Sequence, residues 1–88
     1  MITAATNVTP QDAEVQAHLR ELRNRNKQVF EDRLRTARHD GELPPEADPK
    51  ALAGYLAAVV QGMSQQARDG ATADALAHTA ELALRAWP

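Results

Sequence analysis

The sequence predicts an all-α domain with three main helices, at about residues 10–40, 49–69 and 73–87. Apolar residues recur along the chain at spacings of three, four and seven, which is the helical period. Alanine supplies much of the 43% apolar content while aromatic residues make up only 3%, and alanine favours helix strongly. Capping and stop residues separate the three apolar patterns. The 88 residues are enough for one domain or part of one.

The first helix is predicted to begin at Thr9-Pro10, because threonine is a preferred N-cap and proline a preferred first residue. Asp12 completes a capping-box pattern, and Gly41 is a suitable stop. At ~1.5 Å per residue, this helix would be roughly 45 Å long. Residues 1–8 are predicted to form a short stub before it. One apolar stripe follows the helix: Val15, Leu19, Leu22, Val29, Phe30, Leu34 and Ala37.

The second helix is predicted to begin at Asp48-Pro49 and to end before Gly70. The preceding segment 43–47 (LPPEA) predicts a stiff extended linker, since it holds two prolines. Small residues lie four apart along one side of this helix, where they would let a second backbone come close. They are Gly54, Ala58 and Gly62. The apolar residues on another side are Leu52, Leu56, Val59, Val60, Met63 and Ala67.

The third helix is predicted to begin after Thr72, so that only Ala71 separates the N-cap from Gly70. Its apolar face consists of Leu76, Ala80, Ala83, Leu84 and Trp87. Two apolar helices therefore meet at a very short corner. A chain of this size has few residues to cover them, so the pattern indicates contact with another chain.

The charge distribution argues against nucleic-acid and membrane binding. The net charge is -2, with seven basic and six acidic residues in 10–40 and three basic and six acidic residues in 41–88. Acidic Glu21, Glu31 and Asp32 interleave with the basic residues of the first helix, which is typical of a solvated, salt-bridged face. No apolar run reaches transmembrane length, and no signal peptide is recognisable. We predict a cytoplasmic protein.

The residues that carry chemistry are sparse. The chain has no cysteine, which excludes disulfides and thiolate chemistry. None of His18, His39 and His78 has a second ligand at the spacing of a metal motif. Ser64, the only serine, lies outside a nucleophile elbow, and the glycines form no phosphate loop. We therefore predict that the chain is not an enzyme and has no cofactor.

Several segments resemble the C-terminal end of TetR-family transcriptional regulators. The resemblance is carried by residues 61–72 (QGMSQQARDGAT), 80–84 (AELAL) and 86–88 (AWP). It extends over essentially the whole chain through residues 4–7 (AATN), 19–25, 41–44 (GELP) and 48–49 (DP).

The resemblance implies an all-α regulatory domain. In that family, an N-terminal helix-turn-helix binds operator DNA, while the C-terminal helices bind an inducer and pair two subunits. The last two long helices form a four-helix bundle across the dimer axis. Here this implies that the helices at 49–69 and 73–87 pair the subunits, and that the helix at 10–40 forms part of the inducer-pocket wall. We expect residues 1–88 to be a truncated regulatory domain that lacks the helix-turn-helix part and makes no direct nucleic acid contact.

Our leading hypothesis is a dimerisation module that forms a homodimer, with Ala58 and Gly62 permitting close helix crossing. The predicted interface residues are Leu56, Val59, Val60, Met63, Leu76, Ala80, Ala83, Leu84 and Trp87. The chain could also pair with a full-length TetR-like regulator and leave the heterodimer with one DNA-binding head.

Two other functions are alternatives. A small apolar inducer could bind in a pocket between the long helix and the second helix, lined by Phe30, Leu34 and Tyr55. A basic nucleic-acid binder would instead show DNA binding that weakens with salt.

Overall fold

Three helices make up the described part of the chain, residues 9–88 of a computed structural model. Helix α1 spans Pro10–His39, α2 spans Pro49–Arg68 and α3 spans Ala73–Arg85. The predicted all-α class and the three helices are confirmed, with each helix ending one or two residues earlier than expected. Residues 9–88 contain no strand. The predicted stub at residues 1–8 lies outside the described residues.

All three predicted N-caps are formed. The Oγ1 atom of Thr9 accepts a hydrogen bond from the backbone N–H of Asp12 at 3.1 Å, and Thr72 does the same for Ala75 at 3.1 Å. The Oδ1 atom of Asp48 accepts from the N–H groups of Lys50 and Ala51, at 3.1 and 3.2 Å. These bonds satisfy donors that a helix N-terminus leaves without an intrahelical partner.

Glycines end α1 and α2 in the same way. Gly41 and Gly70 have φ values of 82° and 97°, in the left-handed region that side chains with a Cβ resist. After α2, the N–H of Gly70 donates to the carbonyl of Ala67, and the N–H of Ala71 donates to that of Gln66. This pair of bonds is the Schellman motif, which satisfies the last carbonyls of the helix and turns the chain sharply.

The segment between α1 and α2 is folded rather than extended, which corrects the prediction of an extended linker. The N–H of Ala47 donates to the carbonyl of Pro44 at 3.0 Å, which closes a turn with Pro45 in its second position. The guanidinium of Arg38 donates to the carbonyl of Ala47 at 3.1 Å. Leu43 and Ala47 are both buried, so the linker supplies part of the core.

The core lies where this linker and α2 meet the C-terminal half of α1. Helix α2 packs against both α1 and α3. The buried hydrophobic residues are Leu34, Leu43, Ala47, Ala53 and Ala57. Because three of the five are alanines, this core buries little apolar area per residue, and hydrophobic stabilisation scales with that area.

The described chain is also flat and elongated. Its Cα radius of gyration is 16.6 Å, whereas a compact domain of this length would have about 12 Å. Its extents are 50 × 31 × 16 Å. In so thin a molecule each helix has few neighbouring elements to pack against, so much apolar surface stays in contact with solvent.

Replacing Asp48 by alanine tests the cap of α2. We expect Asp48→Ala to lower the free energy of unfolding by about 1 kcal/mol, because two backbone N–H groups lose their acceptor. Urea denaturation, monitored by circular dichroism, measures this change in the free energy of unfolding. Glu46→Ala is the matched control, since Glu46 is exposed and the change removes the same charge two residues away. An equal loss in both variants would contradict the capping role.

Candidate dimer surface and ligand groove

Helix α3 has an apolar face that the subunit itself leaves partly uncovered. None of its 13 residues is buried. On this face Leu76, Ala80 and Ala83 are half-buried, whereas Leu84 is 66% exposed. An amphipathic helix normally buries its apolar stripe against a neighbour. In the described chain α3 has one neighbouring helix, α2, which covers the stripe only in part.

A hydrogen bond fixes α3 against α2. The hydroxyl of Tyr55 donates to the carbonyl of Ala83 at 2.6 Å, and the tyrosine is half-buried. The bond joins the second turn of α2 to the last turn of α3. The two helices therefore form a pair with a defined relative position before any partner is added.

The structure divides the nine predicted interface residues into two groups. Val60 and Leu84 are exposed, at 52% and 66%. Leu56 and Trp87 pack against the core cluster that contains Leu34. The half-buried group is Leu56, Val59, Met63, Leu76, Ala80, Ala83 and Trp87.

Val60 differs from the other α2 members of that set. It lines the groove between α1 and α2, whereas Leu56, Val59 and Met63 do not. The two groups are nevertheless neighbours on the helix, because Val60 lies four residues after Leu56 and three before Met63. Leu82, by contrast, was not predicted and is as exposed as Leu84. It stands outside the apolar stripe of α3, and a single leucine outside a stripe gives no periodic signal.

The small-residue side of α2 is open. A Cβ atom added at Gly54 or Gly62 would meet no heavy atom within 4 Å, and Ala58 is exposed. No other part of residues 9–88 therefore uses the close approach that these residues allow. The prediction that they permit crossing by a second backbone is compatible with this open side.

A groove runs between α1 and α2. One cavity of about 540 Å³ is lined by residues of both helices, including Leu19, Leu22 and Val60. An adjoining cavity of about 100 Å³ is lined by Phe30 and Ala57. Four residues line both cavities and so join them: Arg23, Asn26, Val60 and Gln61. We call this continuous surface the α1–α2 groove.

The three residues predicted to line an inducer pocket lie in different places. Phe30 lines the α1–α2 groove. Leu34 is only 8% exposed and belongs to the core cluster. Tyr55 faces α3 through its hydroxyl and lines another cavity of about 380 Å³, together with Leu52 and Pro88. Of the three residues, Phe30 alone lies in the groove. Leu34 is directed into the protein core, and Tyr55 is directed toward α3.

Residues 9–88 hold neither a metal-binding cluster nor a membrane-spanning helix. No group of three or more His, Asp or Glu side chains there is placed to hold a metal ion. Nor does any helix of this part combine the length and the apolarity needed to cross a membrane.

Comparison with known proteins defines the class. Residues 1–83 match the family described as "Tetracyclin repressor-like, C-terminal domain". The chain therefore falls in the class of helical regulatory domains of transcriptional repressors, and it belongs to the TetR family.

A curated relative supports the assignment. The chain is 32% identical over 88 residues to the HTH-type transcriptional repressor ComR of Escherichia coli (strain K12). The match covers 100% of this chain and 42% of the relative, so the chain spans less than half of that protein's length. No solved structure matches the chain significantly. The family consists of transcription factors, in agreement with the prediction that the chain is not an enzyme.

Proposed function

We propose that this chain is a dimerisation module of a TetR-like regulator, and that α2 and α3 form a four-helix bundle with the same helices of a second subunit. The observation that carries the proposal is that α3 has an apolar face and no buried residue. Regulators of the family generally act as dimers. A second copy would cover the face that the isolated subunit leaves in water.

The proposed surface includes residues of both helices. On α2 it comprises Leu56, Val59 and Met63, and the open position of Gly62 lies at its edge, three residues after Val59. On α3 and after it, the surface comprises Leu76, Ala80, Ala83, Leu84 and Trp87. Two-fold symmetry would present the same patch from both subunits, so each apolar residue would contribute two copies to the interface. The part played by Val60 stays a prediction, since it faces the groove.

Sedimentation of the purified chain tests the proposal. We expect a species of twice the 9.6 kDa subunit mass at micromolar concentration. The mass should fall toward that of one subunit on dilution if the equilibrium is accessible. A stable monomer at micromolar concentration would overturn the proposal.

Replacing Gly62 by alanine separates subunit stability from association. In the isolated subunit the new methyl group meets no atom within 4 Å, and alanine favours a helix interior by about 0.5–1 kcal/mol over glycine. In a dimer whose helices cross at Gly62, the same methyl group would hold the two backbones apart. We therefore expect Gly62→Ala to strengthen the helix but weaken the dimer.

Circular dichroism at low concentration measures the first effect and sedimentation the second. Ser64→Ala is the control, because Ser64 lies on the groove side of the same helix. It should raise helix stability without changing association. A tighter dimer in Gly62→Ala would show that the helices do not cross closely at this position.

A heterodimer with a full-length TetR-like regulator extends the same proposal. Its basis is that the surface formed by α2 and α3 would be common to both proteins. Such a pair would carry one DNA-binding head and bind an operator more weakly. Operator affinity that stays unchanged after mixing the two proteins would count against it.

A second candidate function is the binding of a small molecule in the α1–α2 groove. The observation in its favour is the concave cavity of about 540 Å³ with apolar residues from both helices. Ligand pockets are typically about 300–1,000 Å³ in volume, with apolar side chains and a few polar groups that orient the ligand. Family members generally bind small ligands. A thermal-shift screen with apolar and aromatic compounds tests this function.

A further inference from the structure

We propose that the α1–α2 groove binds an apolar molecule with an anionic head group, an inference that rests on the second candidate function above. The larger cavity is lined by Arg23 and Arg68, and the adjoining one by Arg23 and Lys27. No aspartate or glutamate lines either cavity. The groove is therefore cationic in a chain whose net charge is -2.

These three cations have no carboxylate partner within the described chain. In residues 9–88 the ion pair joins Arg35 to Glu31, and the Nδ1 atom of His39 lies 3.4 Å from the carboxylate of Asp40. Each of these pairs lies on α1 toward its C-terminal end, outside the two cavities. Arg23, Lys27 and Arg68 thus keep their donors available for an anion, and guanidinium groups bind carboxylates in a two-point geometry.

The apolar part of the groove defines the rest of the ligand. Leu19, Leu22, Val60 and Phe30 are 45%, 38%, 52% and 37% exposed. Leu19 and Phe30 are 11 positions apart on α1, which is roughly 16 Å along a helix. An alkyl chain or an extended ring system of that length would cover these side chains while its charged end reaches the arginines.

The size of the groove favours a small molecule over a protein segment. Both cavities lie between two helices of one subunit and open to solvent, and the volume of the larger one is in the range of small-molecule sites. The α2 residues of the proposed dimer surface, Leu56, Val59 and Met63, line neither cavity, so a second copy is not needed to fill the groove.

Titration calorimetry with three probes of equal chain length tests the proposal: dodecanoate, the neutral alcohol dodecanol and the cation dodecyltrimethylammonium, each below the concentration at which micelles form. We expect dodecanoate to bind about tenfold or more tightly than dodecanol, as charge-assisted hydrogen bonds add affinity. The cation should bind most weakly. The advantage of dodecanoate should shrink with added salt, because exposed charges are screened.

Variants locate the binding. Replacing both arginines, Arg23→Gln with Arg68→Gln, should remove the tenfold advantage of dodecanoate and leave dodecanol unchanged. Val60→Asp should weaken the binding of dodecanoate and of dodecanol, because it places a carboxylate among the apolar side chains of the groove. Arg25→Gln is the matched control, since Arg25 is exposed on the same helix but lines neither cavity. Circular dichroism and sedimentation confirm that each variant keeps its fold and oligomeric state.

Each other outcome would overturn the proposal in a distinguishable way. Equal affinity for dodecanoate and dodecanol would show that the groove does not recognise an anionic head group, although it would still bind small molecules. If Val60→Asp left the affinity for dodecanoate and dodecanol unchanged, the ligand would bind outside the α1–α2 groove. No binding of any probe, together with binding of a poly-glutamate peptide, would assign the groove to an acidic protein segment. None of these results would alter the dimer proposal, which sedimentation tests separately.

Discussion

Substitution of Leu84 by glutamate is expected to convert the dimer to monomers. Leu84 is 66% exposed in the subunit, so the change should alter the stability of the isolated subunit by no more than about 0.5 kcal/mol. In the proposed bundle, the same position lies against the second subunit. There the substitution removes an apolar contact and places an unpaired carboxylate in a desolvated interface, twice in each dimer.

Loss of a central apolar contact in an interface can cost about 2 kcal/mol or more, which is roughly a 30-fold rise in dissociation constant. Sedimentation at micromolar concentration should then show mainly monomer. Val29→Glu is the control, because Val29 is 63% exposed and lies on α1. It introduces the same charge at the same exposure. If the dimer dissociated in both variants, or in neither, the interface would not lie on α3.

Trp87 is a less decisive position for this test. Its ring packs against the core cluster that contains Leu34 and Ala53. Truncating it would remove packing within the subunit as well as contact with a partner. A weaker dimer in such a variant could therefore come from a damaged fold, whereas Leu84 has little packing to lose.

Substitution of Ala53 by aspartate is expected to abolish folding. Ala53 is 0% exposed and sits in the core cluster with Leu34, Leu43 and Ala47. A carboxylate there would lose its hydration without a cationic partner, and it would also force the surrounding elements apart. Burial of an unpaired charge is one of the few mechanisms that cost more than about 4 kcal/mol, and small domains have only about 5–15 kcal/mol in total.

Far-UV circular dichroism and urea denaturation measure this effect. Ala51→Asp is the control, since Ala51 is exposed in the first turn of the same helix, where a negative charge is favourable. Ala51→Asp should retain native helicity. If Ala53→Asp unfolded at the same urea concentration as the control, the core would not depend on an apolar residue at position 53.

Local signals explain why the helices could be predicted so closely. Thr9, Asp48 and Thr72 act within three residues of their own position, and Gly41 and Gly70 are suited to a backbone conformation that other residues resist. Such preferences depend on the neighbouring sequence alone. Helix bounds could therefore be read from the chain to within one or two residues.

Tertiary placement was harder to predict. The two prolines of the linker suggested an extended spacer, but burial of Leu43 and Ala47 favours a folded turn. Leu34 was predicted to line a pocket, yet that same linker covers it. Val60 and Val59 are adjacent in sequence, and only the packing of α1 shows which of them faces the groove. Apolar periodicity identifies the faces of a helix but does not say which neighbour covers each one.

The corner at Ala71 has an energetic consequence for assembly. The glycine turn ends one helix and the threonine cap begins the next within a few residues, and the Tyr55 hydroxyl ties the two helices together further along. The relative position of the two helices is thus fixed at both ends of the pair in each subunit. Immobilising loops and side chains on association opposes binding through lost conformational entropy. In the proposed dimer this corner would need no further ordering, so the entropic penalty would be small and a modest apolar contact would be enough to hold two copies together.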